Sequence, residues 1–415
     1  MKVVIILPTY NEKENIEKII PILEEEVFPN IKNYEMHILV ADDNSPDGTG
    51  EVVENLAKKY KNLHLDKGPK NGLGAAYIRA MTTAIEKLHA DILFEMDADG
   101  QHDHKKIPDF LTKINEGYDI VIGTRYSNGG SIPSNWPPQR KPLSIVANLV
   151  VRTIFMRFNI HDWTGGFRAL RKEVFLKEKD ELINYNGYVF QITFLHKVVR
   201  DGFKIAEVPF HFTDRTLGQS KIAPLNYIFD VLRYVIIARI IELKRFIKFL
   251  IVGGTGFILQ ILTQEIVVRS GLALVFAQFI SPLLFSFTHH RGLIALRDGI
   301  GGGFGAEAAI LSNFMINNFW TFNDTRKLKE KSPFIVRLLK FNFTSLASIL
   351  IQSGSIWFFV RLLGEKLTIL SYIIPTRIVV VVPTIIFLVI PLNYIIYNKI
   401  IWKTQYLKNE SDSKT

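Results

Sequence analysis

The stretch from Asp91 to Gln101, DILFEMDADGQ, is where the sequence first offers chemistry. An apolar run with strand character (Ile92, Leu93, Phe94, Met96) ends in two acids, Asp97 and Asp99, with small Ala98 between them. Alternate side chains of a strand point the same way, so Asp97 and Asp99 are expected to converge beyond the sheet edge. Oxygen ligands at a rigid strand end suit a hard divalent cation that also binds phosphate. Gln101 keeps the spacing and adds a neutral oxygen. Taken alone, an acid-small-acid triplet also reads as a solvated turn, so the surrounding elements must decide.

Those elements alternate. Val3 to Leu7 reads as a buried strand stopped by Pro8, and a helix from Glu12 to about Glu26 follows. Met36 to Ala41 is a second strand, ending in Asp42, Asp43 and the turn Asn44–Ser45–Pro46–Asp47–Gly48. A helix from about Glu51, a short strand at Leu63–Leu65 and a glycine-containing turn through Gly72 and Gly74 come next, and that turn opens a helix to Leu88. After the acid-bearing strand come a helix from about Lys105, a strand Ile120–Gly123 and, later, a strand Lys204–Phe210. The alternation predicts a parallel, doubly wound α/β sheet, which binds ligands beyond the carboxyl ends of its strands. Pro8–Glu12, Asp42–Asp43, Asp97–Gln101 and Gly123–Arg125 all fall at that rim.

Composition bounds the rest. The chain has 415 residues, a formal charge of +10 and no cysteine, which excludes disulfides and thiol catalysis. Two domains are expected. The charge calls for an anionic partner, and the long apolar runs after Phe246 favour a membrane surface over nucleic acid. The start, MKVVIILPTYNEKEN, turns polar too soon for a signal peptide, so the first domain is expected in the cytoplasm.

PTYNE (Pro8 to Glu12), DDNSPDGT (Asp42 to Thr49), KNGLGAA (Lys70 to Ala76) and MDADGQH (Met96 to His102) resemble the family-2 GT-A glycosyltransferases. IGTRY (Ile122 to Tyr126), NWPPQRKPLS (Asn135 to Ser144), TGGFRALRKEV (Thr164 to Val174) and RTLGQSK (Arg215 to Lys221) narrow the resemblance to the dolichyl-phosphate mannose synthase branch. Gly165–Gly166 departs from the Ser-Gly usual there, which removes a hydroxyl at that point.

The resemblance implies roles. Pro8, Tyr10, Glu12, Ala41, Asp43 and Ala98 would line the nucleotide sugar. Asp97, Asp99 and Gln101 would hold Mg²⁺ or Mn²⁺ on the donor diphosphate, with His102 and His104 as candidate outer ligands, although a His after such a turn is more often exposed. Arg125 and Arg140, whose planar forks suit phosphate, and Ser144 would hold the acceptor phosphate. Arg215 and Lys221 sit in a loop that would close over the diphosphate. No Arg-Trp pair of the processive enzymes occurs. A phosphate acceptor is already anionic and needs no general base, so direct displacement with inversion is expected.

The domain organisation expected is a GT-A catalytic domain over residues 1–222, amphipathic interface helices over 223–244, a transmembrane domain over 245–403 and a polar tail over 404–415. Leu225 to Lys244 reads as an amphipathic helix pair on the membrane surface. Phe246–Val268, Ala306–Phe322, Leu338–Leu363 and Leu370–Ile396 are long enough to span a bilayer. They carry an internal repeat: Arg245-Phe-Ile-Lys-Phe249 recurs as Arg337-Leu-Leu-Lys-Phe341, Gln260 as Gln352, and the ends Asn317–Trp320 and Tyr397–Trp402 are loosely alike. This half resembles the GtrA-type membrane domain. Residues 272–303, with His289–His290–Arg291 and the glycines at 299 and 301–303, read as an interfacial or re-entrant insertion, since a fifth span would break the positive-inside rule. Arg377 needs a polar neighbour or a lipid phosphate.

The function expected is transfer of one hexose, mannose from GDP-mannose, to dolichyl or polyprenyl phosphate by a multi-pass cell-membrane protein acting at the cytoplasmic face, with oligomers of the chain as a further partner. UDP-glucose as donor, or a membrane half that translocates the lipid-linked sugar or serves assembly by recruiting partner proteins, are the rival readings.

Overall fold

A computed structural model describes residues 1–134, 136, 140–185, 189–213, 225–284, 290–323, 333–364, 366–369 and 372–402. Two compact units divide the chain, Met1–Ile240 and Ile241–Thr415.

The first unit is built on seven strands: β1 (Lys2–Thr9), β2 (Glu35–Asp42), β3 (Leu63–Lys67), β4 (Ile92–Glu95), β5 (Ile120–Thr124), β6 (Arg168–Arg171) and β7 (Ile205–Pro209), in the order β3-β2-β1-β4-β6-β5-β7. The run Val-Val-Ile-Ile-Leu of β1 is apolar on both faces because the sheet is covered on both faces. Val3, Ile5 and Leu7 enter one core with α1 (Lys13–Ile22), α2 (Thr49–Lys59) and α4 (Ile107–Asn115). Val4 and Ile6, one residue out of phase, enter the other with α3 (Leu73–Glu86), α5 (Arg140–Phe155), α6 (Lys172–Leu182) and α7 (Val189–Arg200). The sheet is thus doubly wound, as expected, but not wholly parallel. The short strand β6 lies antiparallel between β4 and β5, pairing Arg168 with both Glu95 and Ile122. Four residues with an arginine at each end carry too little apolar pattern to read as a strand.

The stretch read as a pair of interface helices is one helix, α8 (Leu225–Arg269), continuous through the boundary between the units. In the first unit its Val231, Val235 and Ala238 pack into the second core, while Phe229, Ile236, Ile237 and Ile240 are exposed. Over Ile228–Arg269 it is long and apolar enough to cross a membrane, by length and composition.

In the second unit α9 (Leu272–Leu284), α10 (His290–Ile316) and α11 (Phe334–Leu363) follow. The glycines of the expected insertion lie inside α10, which runs on into the stretch read as the second span. The last apolar run is not one helix. A hairpin of β8 (Lys366–Ile369) and β9 (Tyr372–Pro375) precedes α12 (Thr376–Thr384), a π turn (Ile385–Val389) and α13 (Ile390–Ile396). His289, and the side chains of His290, Arg291, Gln352 and Arg377, lie outside the described residues.

Candidate active site

The carboxyl ends of β1, β2, β4 and β5 form one rim. Pro8 stands in register with Ala41, and Thr9 with Asp42. Asp42 is buried and internally occupied: Thr9 Oγ1 donates to its Oδ1 at 3.2 Å, and Ser45 N donates to its Oδ2 at 3.0 Å. It braces the turn. Asp43 accepts from Arg79 Nη1 at 3.1 Å, and Arg79 Nε also donates to Asp66 Oδ2 at 2.7 Å. Burial raises the Asp43 carboxyl above its usual range, and Arg79 opposes that rise. Tyr10 is exposed at the edge, its ring covered by Lys70 Nζ at 3.3 Å from the centroid. Glu12 is half-buried, its Oε2 accepting from Asn15 Nδ2 at 2.5 Å.

Gly72 opens α3 at φ +93°, a conformation that favours glycine. The close approach at Gly74 is made by the chain itself: a Cβ there would stand 2.5 Å from the Tyr185 carbonyl oxygen.

Beyond β4 the chain turns sharply through Gly100, at φ +75°. Asp97 keeps a side chain 40% exposed, whereas Asp99 and Gln101 are buried. Asp99 Oδ1 accepts from Gln101 N at 3.1 Å, and Gln101 Nε2 donates to the Thr213 carbonyl at 3.2 Å. Thr213 also donates through N to the Gln101 carbonyl at 3.2 Å, so the segment after β7 clasps the acid turn.

His102 differs from the expectation of an exposed residue. It is 3% exposed and stacks on Phe167 with centroids 4.8 Å apart, Phe210 and Phe212 standing edge-on. Its Nδ1 accepts from Asp97 N at 3.1 Å, so the neutral ring carries its proton on Nε2, 3.7 Å from Asp97 Oδ2. Burial pushes its pKa down to about 4. A ring with one nitrogen engaged and the other protonated is no metal ligand; it orients Asp97. Among the described residues no three His, Cys, Asp or Glu side chains gather as a metal site. The oxygen set of Asp97, Asp99 and Gln101 nevertheless fits a hard divalent ion of the kind held by one or two carboxylates and completed by substrate phosphates.

Arg125, at the end of β5, is committed to Asp162. Its Nε and Nη2 donate to the two carboxylate oxygens at 2.7 and 2.8 Å, and Nη2 also reaches Thr164 Oγ1 at 2.8 Å. Asp162 is fully buried and also accepts from Thr164 N and Gly165 N. Burial opposes its charge, but Arg125 outweighs burial and holds the carboxyl below its usual range. Asp99, Arg125 and Asp162 all act electrostatically on His102, which ties this pair to the acid turn.

Tyr126 gathers the remaining candidates. Its hydroxyl lies 2.5 Å from Ser144 Oγ, its ring 5.2 Å from Arg125 Cζ, and the charges of Arg125 and Arg140 both act on it. Arg140 Cζ lies 3.9 Å over the Trp136 ring. Asn148 secures α5 by donating to Thr164 Oγ1 at 3.2 Å and accepting from Trp163 N at 2.7 Å. The outer face of α5 exposes Leu143, Ile145, Val146 and Leu149. Sequence reasoning missed Asp162, Asn148 and this apolar face. The signal for the face is the largely apolar run Leu143–Leu149, which follows Arg140, Lys141 and Pro142. Arg215 and Lys221 lie outside the described residues.

Polar strand ends gathered at one rim, an acid turn and a doubly wound sheet are the frame of a GT-A glycosyltransferase. A family model, glycosyl transferase family 2, matches residues 4–177, and a second, the GtrA/DPMS transmembrane domain, matches residues 283–402. The polyprenol monophosphomannose synthase of Mycolicibacterium smegmatis is 38% identical over 227 residues, covering 54% of this chain and 82% of that protein. The dolichol-phosphate mannosyltransferase of Pyrococcus furiosus is 34% identical over 362 residues, 86% of this chain and 90% of that protein. A mannosyl-3-phosphoglycerate synthase structure from Rubrobacter xylanophilus aligns at 18% identity with a TM-score of 0.42, covering 59% of this chain and 74% of that one. The chain belongs to glycosyl transferase family 2. It is a membrane glycosyltransferase of the dolichol-phosphate mannosyltransferase kind.

Proposed function

We propose that the chain transfers a single mannose from GDP-mannose to the phosphate of a polyprenol such as dolichol, inverting the anomeric centre, at the cytoplasmic face of the membrane it spans several times. The observation that carries this reading is the likeness to the Pyrococcus furiosus protein, which extends through both halves of the chain.

The first unit supports it chemically. Pro8, Tyr10, Glu12, Ala41, Asp43 and Ala98 line the donor, and Arg215 and Lys221 follow the segment that clasps the acid turn. Asp97, Asp99 and Gln101 would hold Mg²⁺ or Mn²⁺, which when bound neutralises charge on the departing diphosphate. His102 fixes Asp97 for that task. Arg125, Arg140 and Ser144 surround Tyr126, where two cations and a hydroxyl suit a phosphate monoester. The apolar face of α5, carrying Arg140 at its first turn, suits an acceptor presented at a lipid surface. The acceptor phosphate attacks as an anion, so these residues position and stabilise rather than remove a proton.

The test is a radiolabelled-donor panel on washed membranes supplied with polyprenyl phosphate. Label from GDP-mannose should enter the lipid, GDP should compete better than UDP, and Asp97→Ala or Asp99→Ala should abolish transfer. Label entering only from UDP-glucose would overturn the donor assignment.

A further inference from the structure

Arg79 stands between two carboxylates at the rim where the donor is proposed to bind. From the second turn of α3 it donates through Nε to Asp66 Oδ2 at 2.7 Å and through Nη1 to Asp43 Oδ1 at 3.1 Å. Asp66 is itself held, accepting from Thr83 Oγ1 at 3.2 Å one turn further along the same helix. The guanidinium lies where a side chain of residue 68 would be: a Cβ on Gly68 would collide with its Nη1 and Cζ and stand 2.6 Å from its Nε. Gly68 in turn is tied to the end of β2, its N donating to the Asp42 carbonyl at 3.0 Å. The side chains of Arg79 and Asp43 are only 22% and 9% exposed, so the pair is largely out of water.

The charge of Asp43 decides what it can recognise. An ionised carboxylate only accepts hydrogen bonds, whereas a protonated one also donates. On their pairing edges guanine and uracil carry a ring N–H, and adenine and cytosine carry a bare ring nitrogen in its place. A carboxylate beside the base therefore selects guanine or uracil, and a carboxylic acid loses that distinction. Burial and the like charge of Asp42 press Asp43 toward the protonated form. Arg79 opposes them, and Lys70, whose ammonium covers the Tyr10 ring, opposes them less. Among the groups acting on Asp43, removal of Arg79 leaves Lys70 alone against burial and Asp42.

We infer that Arg79 determines donor specificity: by clamping Asp43 Oδ1 it keeps that side chain a hydrogen-bond acceptor and restricts the nucleotide sugar to a base with a ring N–H on its pairing edge. Arg79 acts through Asp43 and is a positioning residue. The inference rests on the reading that places Asp43 beside the donor, and it holds for a guanine or a uracil base alike.

Isothermal titration of the full chain in detergent with Mn²⁺ tests it, using GDP, UDP, ADP, CDP and ribose 5-diphosphate, which has no base. The wild-type chain should bind GDP or UDP about tenfold or more tighter than ADP, CDP or ribose 5-diphosphate, by a ratio that stays level between about pH 6.5 and 8. Arg79→Met should weaken the preferred nucleotide about tenfold at the acid end of that window. It should regain part of the loss at the alkaline end, as Asp43 ionises, and leave ribose 5-diphosphate unchanged. KM for polyprenyl phosphate should not move. Gly68→Ala displaces the guanidinium without removing a charge; it should shift binding in the same direction, and it carries the test if Arg79→Met lowers the melting temperature. A wild-type chain that binds every nucleotide no better than ribose 5-diphosphate would overturn the donor reading together with the inference. A preference for GDP or UDP that survives in both variants, or a loss equal at every pH or shared by ribose 5-diphosphate, would overturn the inference alone.

Discussion

Arg125 and Asp162 face each other in a two-pronged contact, Nε and Nη2 of the guanidinium at 2.7 and 2.8 Å from the carboxylate. The carboxylate is buried, and the arginine stands at the end of β5 where an acceptor phosphate is proposed to arrive. Asp162 therefore fixes the plane of the guanidinium. Asp162→Asn keeps the shape but turns an amide N–H toward Arg125. Losing one partner of a buried pair costs about 3–5 kcal/mol. Part of that loss should appear as a roughly 30–100-fold fall in kcat/KM for polyprenyl phosphate. KM for the donor should stay constant; a rise in the donor KM alongside the fall in kcat/KM for polyprenyl phosphate would mean general damage to the fold.

His102 sets the backbone beneath Asp97. His102→Phe preserves the stack on Phe167 but leaves the Asp97 amide without its acceptor. An unmade buried hydrogen bond costs about 1–3 kcal/mol. The variant should melt a few degrees lower, and the Mg²⁺ or Mn²⁺ concentration for half-maximal transfer should rise severalfold. An unchanged metal titration would remove His102 from the site.

What the sequence disclosed and what it hid follow from range. Two-residue spacing at a strand end predicts that Asp97, Asp99 and Gln101 share one direction, but β4 stops at Glu95 and the three lie in the turn through Gly100, with Asp97 partly exposed and Asp99 and Gln101 buried. Asp162 is invisible because its partner lies 37 residues earlier and meets it only through β5 and the loop before β6. His102 misled because nothing local shows that Phe167, Phe210 and Phe212 enclose it. In the second unit, continuous hydrophobicity conceals the β8–β9 hairpin: Tyr372–Pro375 is apolar whether strand or helix. The repeat was visible as Arg-x-x-Lys-Phe, but its crossing, Arg245 to Asn398 and Arg337 to Asn318, exists only in three dimensions.

Two glycines should respond oppositely to substitution. At Gly74 a Cβ would stand 2.5 Å from the Tyr185 carbonyl and 2.9 Å from the Phe190 ring, so backbone must move. Gly74→Ala should cost about 1–3 kcal/mol, as overpacking does, and lower the melting temperature. At Gly165 a Cβ would be in ordinary contact, 3.5 Å from the Asp162 carboxylate. Gly165→Ser restores the hydroxyl usual in the family within reach of that acceptor. It should leave transfer within about twofold of wild type and stability within about 0.5 kcal/mol.

Glu178 supplies a pH dependence separate from the reaction. Its carboxyl is 1% exposed on α6; burial, followed by the charge of Asp201, pushes it up to about 7, while Arg200, with Nη2 at 3.5 Å, pulls the other way. Glu181 adds a weaker like charge. In the unfolded chain the same carboxyl titrates near the ordinary 4.5. Between those values the folded state holds a proton that the unfolded state has released. Its contribution to stability is therefore whole below about 4.5 and is lost as pH rises through about 7. The upper limit of that loss is about 3 kcal/mol, at 1.36 kcal/mol per pH unit. Glu178→Gln keeps the shape and cannot ionise. Thermal melts of the full chain in detergent should show the wild-type midpoint falling between pH 5 and 7.5 and the variant nearly level over that window. Because Arg200 already bonds Glu181 and Asp201, its charge stays compensated in the variant. A variant that keeps the wild-type slope would place the titrating group elsewhere.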